Sequence, residues 1–423
     1  MRGAFNVATL ALAIALLGCG SEEVPEGEGG AGAQGGAGAQ GGAGGAGGGG
    51  GQGAGGQGGG GTGECLGTPA GALSFTTTVT YPAGTGNMGA REIAVGDVDG
   101  DGTPDVVFGS GPSATAMVMR NLGDGSLAQA GSVQLEAESM GLFLAPMDAQ
   151  PGLDLATANH CIVFPCHGVE VFSGEGDGTF QPPQRVLADV IDGALLDAAQ
   201  GDLDGDGLGE IYATSQSELY AWIVQQGDDG TLTAEEVRAF DALTLTDFDG
   251  DGDLDVAGST AGADDYAIEV HLNGGSGTFS EGGAVAAVNA RFEHFVAGDL
   301  DGDGDQDLAA TTGTDTMLLL GSGDGATFLS TEIQLGGEEV SGLAVADMDG
   351  DCTDDLLVLR GSRVMILLNR SGQLSPGPVV EVGGALTSLA VADLDQDGRR
   401  DLLVTRGDSH DLVIVFQDAV AGP

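Results

Sequence analysis

The sequence predicts an all-β repeat architecture, a solenoid or a propeller, on three observations. An Asp-rich nonapeptide recurs seven times between Val95 and Leu402, at intervals of 45 to 56 residues. A repeat of that length marks stacked or radial units rather than one continuous core. Each nonapeptide is flanked by four-to-six-residue apolar, β-rich runs, such as IAV before and DVVFG after the first. A second, glycine-rich half-motif follows each of the first six copies and in three cases ends in Phe: GEGDGTF (174–180), GGSGTF (274–279) and GSGDGATF (321–328). GDGSL (123–127), GDDGTL (227–232) and SGQL (371–374) are weaker forms.

The nonapeptides carry the chemistry. Alternate carboxylates at positions 1, 3 and 5 converge when the backbone curls, and Gly at position 6 permits the turn. Position 7 can add its carbonyl and an acid at position 9 closes a hard-oxygen shell of the kind Ca²⁺ prefers. The first copy offers Asp97, Asp99, Asp101, Thr103 and Asp105; the third offers Asp202, Asp204, Asp206, Leu208 and Glu210. The fourth and fifth supply Asp247, Asp249, Asp251, Asp253, Asp255 and Asp299, Asp301, Asp303, Asp305, Asp307. The sixth and seventh supply Asp347, Asp349, Asp351, Thr353, Asp355 and Asp393, Asp395, Asp397, Arg399, Asp401. The second copy, FLAPMDAQPGLDLA, has Pro146 at position 1 and keeps only Asp148 and Asp154. An EF-hand would need Glu at position 12 and flanking helices; here the closing acid comes at position 9 between strands. About six Ca²⁺ sites are expected.

These repeats resemble FG-GAP (VCBS-type) repeats, which form a seven-bladed β-propeller in the integrin α-subunit. The resemblance covers roughly residues 70 to 418. It implies four-stranded blades, with the calcium loop joining the first strand, A, to the second, B. Strand C then falls at AMVMRN (116–121), EVHLN (269–273) and VMILLN (364–369), and strand D follows the Gly-Phe turn. The chain ends after a strand-C sequence, LVIVFQ (412–417), and the repeats begin after an orphan strand-D sequence, LSFTTTVTY (73–81). Pairing the two would complete the seventh blade and hide two open strand edges.

Three segments precede the expected propeller at 64–423. Residues 1–18 have Arg2, an apolar stretch from Val7 to Leu17, and then Gly18, the pattern of a bacterial export signal. Leu16-Leu17-Gly18-Cys19 resembles a lipobox, which implies an acylated Cys19 opening the segment 19–26. Residues 27–63 are almost entirely Gly, Ala and Gln, a flexible linker with a reach of roughly 35 Å. The expected location is the bacterial outer membrane or cell surface, with membrane attachment through the lipid alone.

Of the 64 acidic residues, 29 lie in the seven nonapeptides, and all 12 basic residues are Arg. Six bound Ca²⁺ would move the formal charge from −52 to −40. Without a basic patch, nucleic acid is not an expected partner. Beyond Cys19, an even set of cysteines suits two disulfides in an oxidising compartment. Cys161 with Cys166 and Cys65 with Cys352 is the expected pairing, with other connectivities open. Cys352 also stands where the turn glycine belongs. His160-Cys161…Cys166-His167 is readable as a Zn²⁺ or Cu site or as a disulfide-closed loop. Arg406-Gly407-Asp408 reads as a turn.

No nucleophile elbow, metalloprotease helix or phosphate loop occurs in the sequence. The expected function is a displayed, calcium-binding module for binding, adhesion or scaffolding. The alternative is a polysaccharide lyase or hydrolase on the same scaffold. A protein or glycan ligand is expected on the face opposite the calcium loops. One Trp and four Tyr leave few stacking platforms for sugars.

Overall fold

A computed structural model describes residues 73–82, 90–110, 114–160, 168–186, 195–215, 221–227, 230–261, 266–280, 283–288, 291–314, 316–333, 337–370 and 372–418. All belong to the compact unit Ala43–Pro423. The expected leader, Cys19, the linker, Cys65, Cys161, Cys166 and the side chains of His160 and His167 lie outside the described residues.

The regular structure among the described residues is entirely β, in seven antiparallel four-stranded sheets. β1 (Phe75–Pro82) comes first. Blade 1 is β2 (Ala90–Gly96), β3 (Asp105–Ser110), β4 (Thr115–Asn121) and β5 (Leu127–Gln134). Blade 2 is β6 (Glu138–Ala145), β7 (Asp154–His160), β8 (Val169–Phe172) and β9 (Gln184–Val186). Blade 3 is β10 (Leu195–Gly201), β11 (Glu210–Ser215), β12 (Ala221–Gln226) and β13 (Leu232–Val237). Blade 4 is β14 (Ala242–Thr246), β15 (Asp255–Ala261), β16 (Tyr266–His271) and β17 (Gly283–Val288). Blade 5 is β18 (His294–Gly298), β19 (Asp307–Thr311), β20 (Thr316–Leu320) and β21 (Leu329–Ile333). Blade 6 is β22 (Val340–Ala346), β23 (Asp355–Arg360), β24 (Arg363–Asn369) and β25 (Leu374–Glu381). Blade 7 holds β26 (Leu386–Ala392), β27 (Asp401–Arg406) and β28 (Asp411–Gln417), and β1 is its fourth strand.

β1 pairs antiparallel with β28 from Phe75↔Gln417 to Pro82↔Asp411. Asp418 reinforces the pair, accepting from the Thr76 amide at 2.7 Å while its own amide donates to Ser74 O at 2.8 Å. The first strands touch in succession around the molecule, from β2 against β6 through to β26 against β2, which makes the sheets a ring. The architecture is a seven-bladed β-propeller.

Its apolar core is divided among the seams. Each of seven buried clusters joins two consecutive blades: blade 3 meets blade 4 through Tyr212, Leu243 and Val256, and blade 7 meets blade 1 through Leu394, Ile414, Ile93 and Phe108. Strands β11, β19 and β23 are buried along their whole length, as expected for sheets covered on both faces. Outer strands such as β5 and β13 are mostly exposed.

Candidate metal centres at the A–B loops

Every nonapeptide lies between the first and second strands of its blade, and a repeated set of hydrogen bonds explains its shape. The position-1 Asp folds the loop over its own carboxylate. Asp97 Oδ1 accepts from Gly100 N at 2.7 Å and Oδ2 from Gly102 N at 2.9 Å. Asp202, Asp247, Asp299 and Asp347 accept from the corresponding amides at 2.6 to 3.1 Å. The position-5 Asp accepts from the position-7 amide, as Asp101 does from Thr103 N at 2.8 Å. These local bonds favour the curl over an extended strand.

The curl brings positions 1, 3 and 5 together. Oxygens of Asp97, Asp99 and Asp101 lie within 4.8 Å of one another, as do those of 202/204/206, 247/249/251, 299/301/303 and 347/349/351. In the seventh blade the same bonds recur, with Asp397 N donating to Asp393 Oδ1 at 3.0 Å and Gly398 N to Asp393 Oδ2 at 2.9 Å. Three carboxylates at that spacing can hold a hard divalent cation. The sixth loop holds the most enclosed of the triplets. Asp349 is 2% exposed, and its charged partner among the described residues is Arg370, whose Nη2 lies 2.7 Å from Oδ2. Burial, then the charges of Asp351 and Asp347, raises its pKa. A buried carboxylate needs a compensating cation, and here the guanidinium of Arg370 is one that a metal ion would have to displace.

The position-9 acid makes its own set of hydrogen bonds beside these triplets. Asp255 is fully buried; Oδ2 accepts from the position-2 amide, Phe248 N, at 2.8 Å, and Oδ1 from Asn273 N, after strand C, at 2.7 Å. Asp105, Asp307, Asp355 and Asp401 each make the equivalent pair at 2.7 to 3.0 Å. Glu210 keeps the first bond, from Leu203 N at 2.7 Å. Each carboxylate oxygen so engaged keeps a lone pair. Burial, the largest cause, pushes Asp105 and Asp255 up to about 6 and Glu210, Asp307, Asp355 and Asp401 up to about 7.

Sequence reasoning missed the link from each loop to the next blade. The position-2 carbonyl accepts across the seam: Val98 O from Gly178 N at 2.9 Å, Leu203 O from Gly277 N at 2.9 Å, and Phe248 O from Gly325 N at 3.1 Å. The side-chain amides of Asn273 and Asn121 add bonds to Leu203 O at 2.6 Å and Leu394 O at 2.7 Å. The signal was present in the strand-C ends Asn121 and Asn273, whereas the Asn369 side chain at the same position only accepts, from Gly372 N at 3.1 Å. The phenylalanines of the second half-motif pack into the same seams, with Phe328 edge-on to Phe248 at 5.9 Å.

Three loops carry their own guanidinium. Arg120 pairs with Asp99, Arg370 with Asp349 at 2.7 Å and Asp351 at 3.8 Å, and Arg399 with Asp397. At Cys352 and Gln396, side chains sit at φ 74° and 58°, where other loops use glycine. Of the five cysteines, Cys352 alone lies among the described residues. In the Arg-Gly-Asp turn, Arg406 is held by a bidentate pair to Asp411 at 2.7 and 2.6 Å. His271, His294 and His410 lie on β16, on β18 and in the β27–β28 turn.

Residues 247–310, 299–358 and 347–404 match the family described as FG-GAP-like repeat. Blades 4 to 7 are therefore built of FG-GAP-like repeats. No curated protein matches the chain in sequence. Among solved structures, a lectin of Agrocybe aegerita studied for its specific recognition of non-reducing terminal N-acetylglucosamine is 21% identical. The match covers 73% of this chain and 81% of that one, with a TM-score of 0.50. BBS1N, solved in complex with ARL6DN, is 11% identical over 84% of this chain and 99% of that one, with a TM-score of 0.58. At these identities the likeness concerns fold alone.

Proposed function

Taking the FG-GAP-like repeats as premise, we propose that this chain is a calcium-stabilised β-propeller, tethered by an acylated Cys19 and displayed at the cell surface as a binding or scaffolding module. The observation that carries the calcium reading is the recurrence of convergent carboxylate triplets, among which 202/204/206, 247/249/251 and 299/301/303 have no arginine pair among the described residues to offset their charge. When bound, Ca²⁺ would supply charge compensation that local arginines give only three loops. Asp97, Asp99, Asp101 and their counterparts would hold it, while the position-1 and position-5 acids orient the backbone around it. The position-9 acid fixes the loop to strand C. Since position 2 is bonded to the next blade, ordering a loop also orders a seam.

The export-type leader, Cys19 and the Gly/Ala/Gln-rich stretch support a tethered head. The expected Cys65–Cys352 bridge would anchor the N-terminal lead at the sixth loop. The mushroom lectin with a similar fold recognises a sugar, which makes glycan one ligand class for such a module. Calcium titration of the full-length chain by calorimetry tests the metal reading: about six sites are expected, and no calcium-dependent heat would refute it. Incorporation of labelled palmitate, abolished in Cys19→Ala, tests the tether; incorporation unchanged in that variant would contradict it.

A further inference from the structure

Next to the third loop, whose Leu203 O accepts from Gly277 N, a cleft of about 600 Å³ opens at the seam between blades 3 and 4. Val256, Phe279 and the buried ring of Tyr212 form its apolar side. Across it, Arg238 Nη2 donates to Glu269 Oε2 at 2.8 Å, with the two side chains 51% and 18% exposed. Glu269 is fully engaged, since His271 Nε2 lies 3.1 Å from the same oxygen and Thr260 Oγ1 donates to Oε1 at 3.1 Å. His271 is fixed in turn by Ser280 O, 2.8 Å from its Nδ1. Glu235 stands opposite Ile223 on β13, and Ile223 packs in this seam, so Glu235 shares the face turned to blade 4.

The cleft therefore presents an immobilised guanidinium with spare N–H donors, an exposed carboxylate and the Thr278 hydroxyl beside a half-buried aromatic ring. An anion would meet Glu235, Glu236 and a chain of formal charge −52. A cation would find its natural seat on Glu269 already taken by Arg238 and His271. A neutral polyol suits both signs: its hydroxyls donate to Glu235 and accept from Arg238, and its C–H face packs on Phe279. We propose that the blade 3–blade 4 cleft binds a neutral carbohydrate unit, with Glu235, Arg238 and Thr278 reading hydroxyls and Phe279 covering the ring. This rests on the binding-module reading and puts the ligand at an outer seam, not on the face opposite the loops.

The test is binding of the full-length chain, in calcium, to an array of immobilised neutral, uronate-bearing and amine-bearing saccharides. The expected result is retention on neutral saccharides, weakened on the order of tenfold by Glu235→Gln and by Arg238→Lys, with the melting temperature of Glu235→Gln unchanged. Retention on charged saccharides alone overturns the proposal, as does neutral binding that both substitutions leave intact; the latter result would leave the binding-module reading standing with its site elsewhere. Absence of retention on every saccharide also overturns it. In that case, recovery of a specific protein partner by cross-linking would keep the module reading, and failure of both would end it.

Discussion

Asp154 stands in a loop whose first and fifth positions are Pro146 and Gln150, yet its oxygens still accept from Met147 N and Gly174 N, each at 2.8 Å. The position-9 acid is thus an architectural clamp even where no carboxylate triplet exists. Asp154→Asn would set an amide N–H₂ against one of these donors. It is expected to cost about 1–3 kcal/mol, by the same amount in EDTA and in calcium, in urea unfolding. A loss seen only in calcium would contradict the clamp. Gln396, at φ 58°, carries a Cβ in a conformation that favours glycine, and its Nε2 donates to Gly102 O at 3.3 Å across the seam. Gln396→Gly relieves the backbone at the loss of that long bond. The expected gain is about 0.5 kcal/mol, read as a higher urea midpoint.

At the scale of elements, the six acid-rich loops divide by their neighbours. Loops 1, 6 and 7 hold Arg120, Arg370 and Arg399 against their acids, whereas no arginine pair is described for loops 3, 4 and 5. A cation entering loop 6 must displace Arg370 from Asp349. Arg370→Ala is therefore expected to tighten calcium at one site several-fold in calorimetry, while lowering the melting temperature in EDTA. Unchanged affinity would mean the guanidinium does not compete. The strands themselves were legible in the sequence. LVIVFQ and LSFTTTVTY became the paired β28 and β1, and VMILLN became β24, within one or two residues. Their alternation and flanking turns are local properties, so a linear reading finds them. The Asn273 amide on Leu203 O spans 70 positions, and no local pattern announces a bond of that separation. The same holds for the cleft between blades 3 and 4, where Arg238 and Glu269 meet only once the ring is formed.

For the whole molecule, the acids buried at position 9 set the sign of the pH response. Their folded-state pKa values, about 6 to 7, lie above the ordinary 3.8 of Asp and 4.5 of Glu. Folding therefore favours the protonated form: that stability is fully present below the unfolded value and is lost as pH rises through about 6 to 7. Repulsion within the triplets acts in the same direction. In EDTA the melting temperature should fall between about pH 4 and about pH 7, and in calcium this fall should shrink or reverse, because ligation requires the ionised form. A pH response identical in both conditions would contradict the link between metal and fold. Each loop bonds to the following blade, so metal occupancy should be felt around the ring and not in one blade. The most direct measurement is thermal unfolding of the full-length chain, first in EDTA and then with added Ca²⁺. Sites filled to about 100 times their dissociation constants should each add roughly 2.7 kcal/mol. A large rise specific to calcium is expected, reduced in an Asp247→Ala, Asp249→Ala double variant. A melting temperature indifferent to calcium would make the loops ordinary Asp-Gly turns.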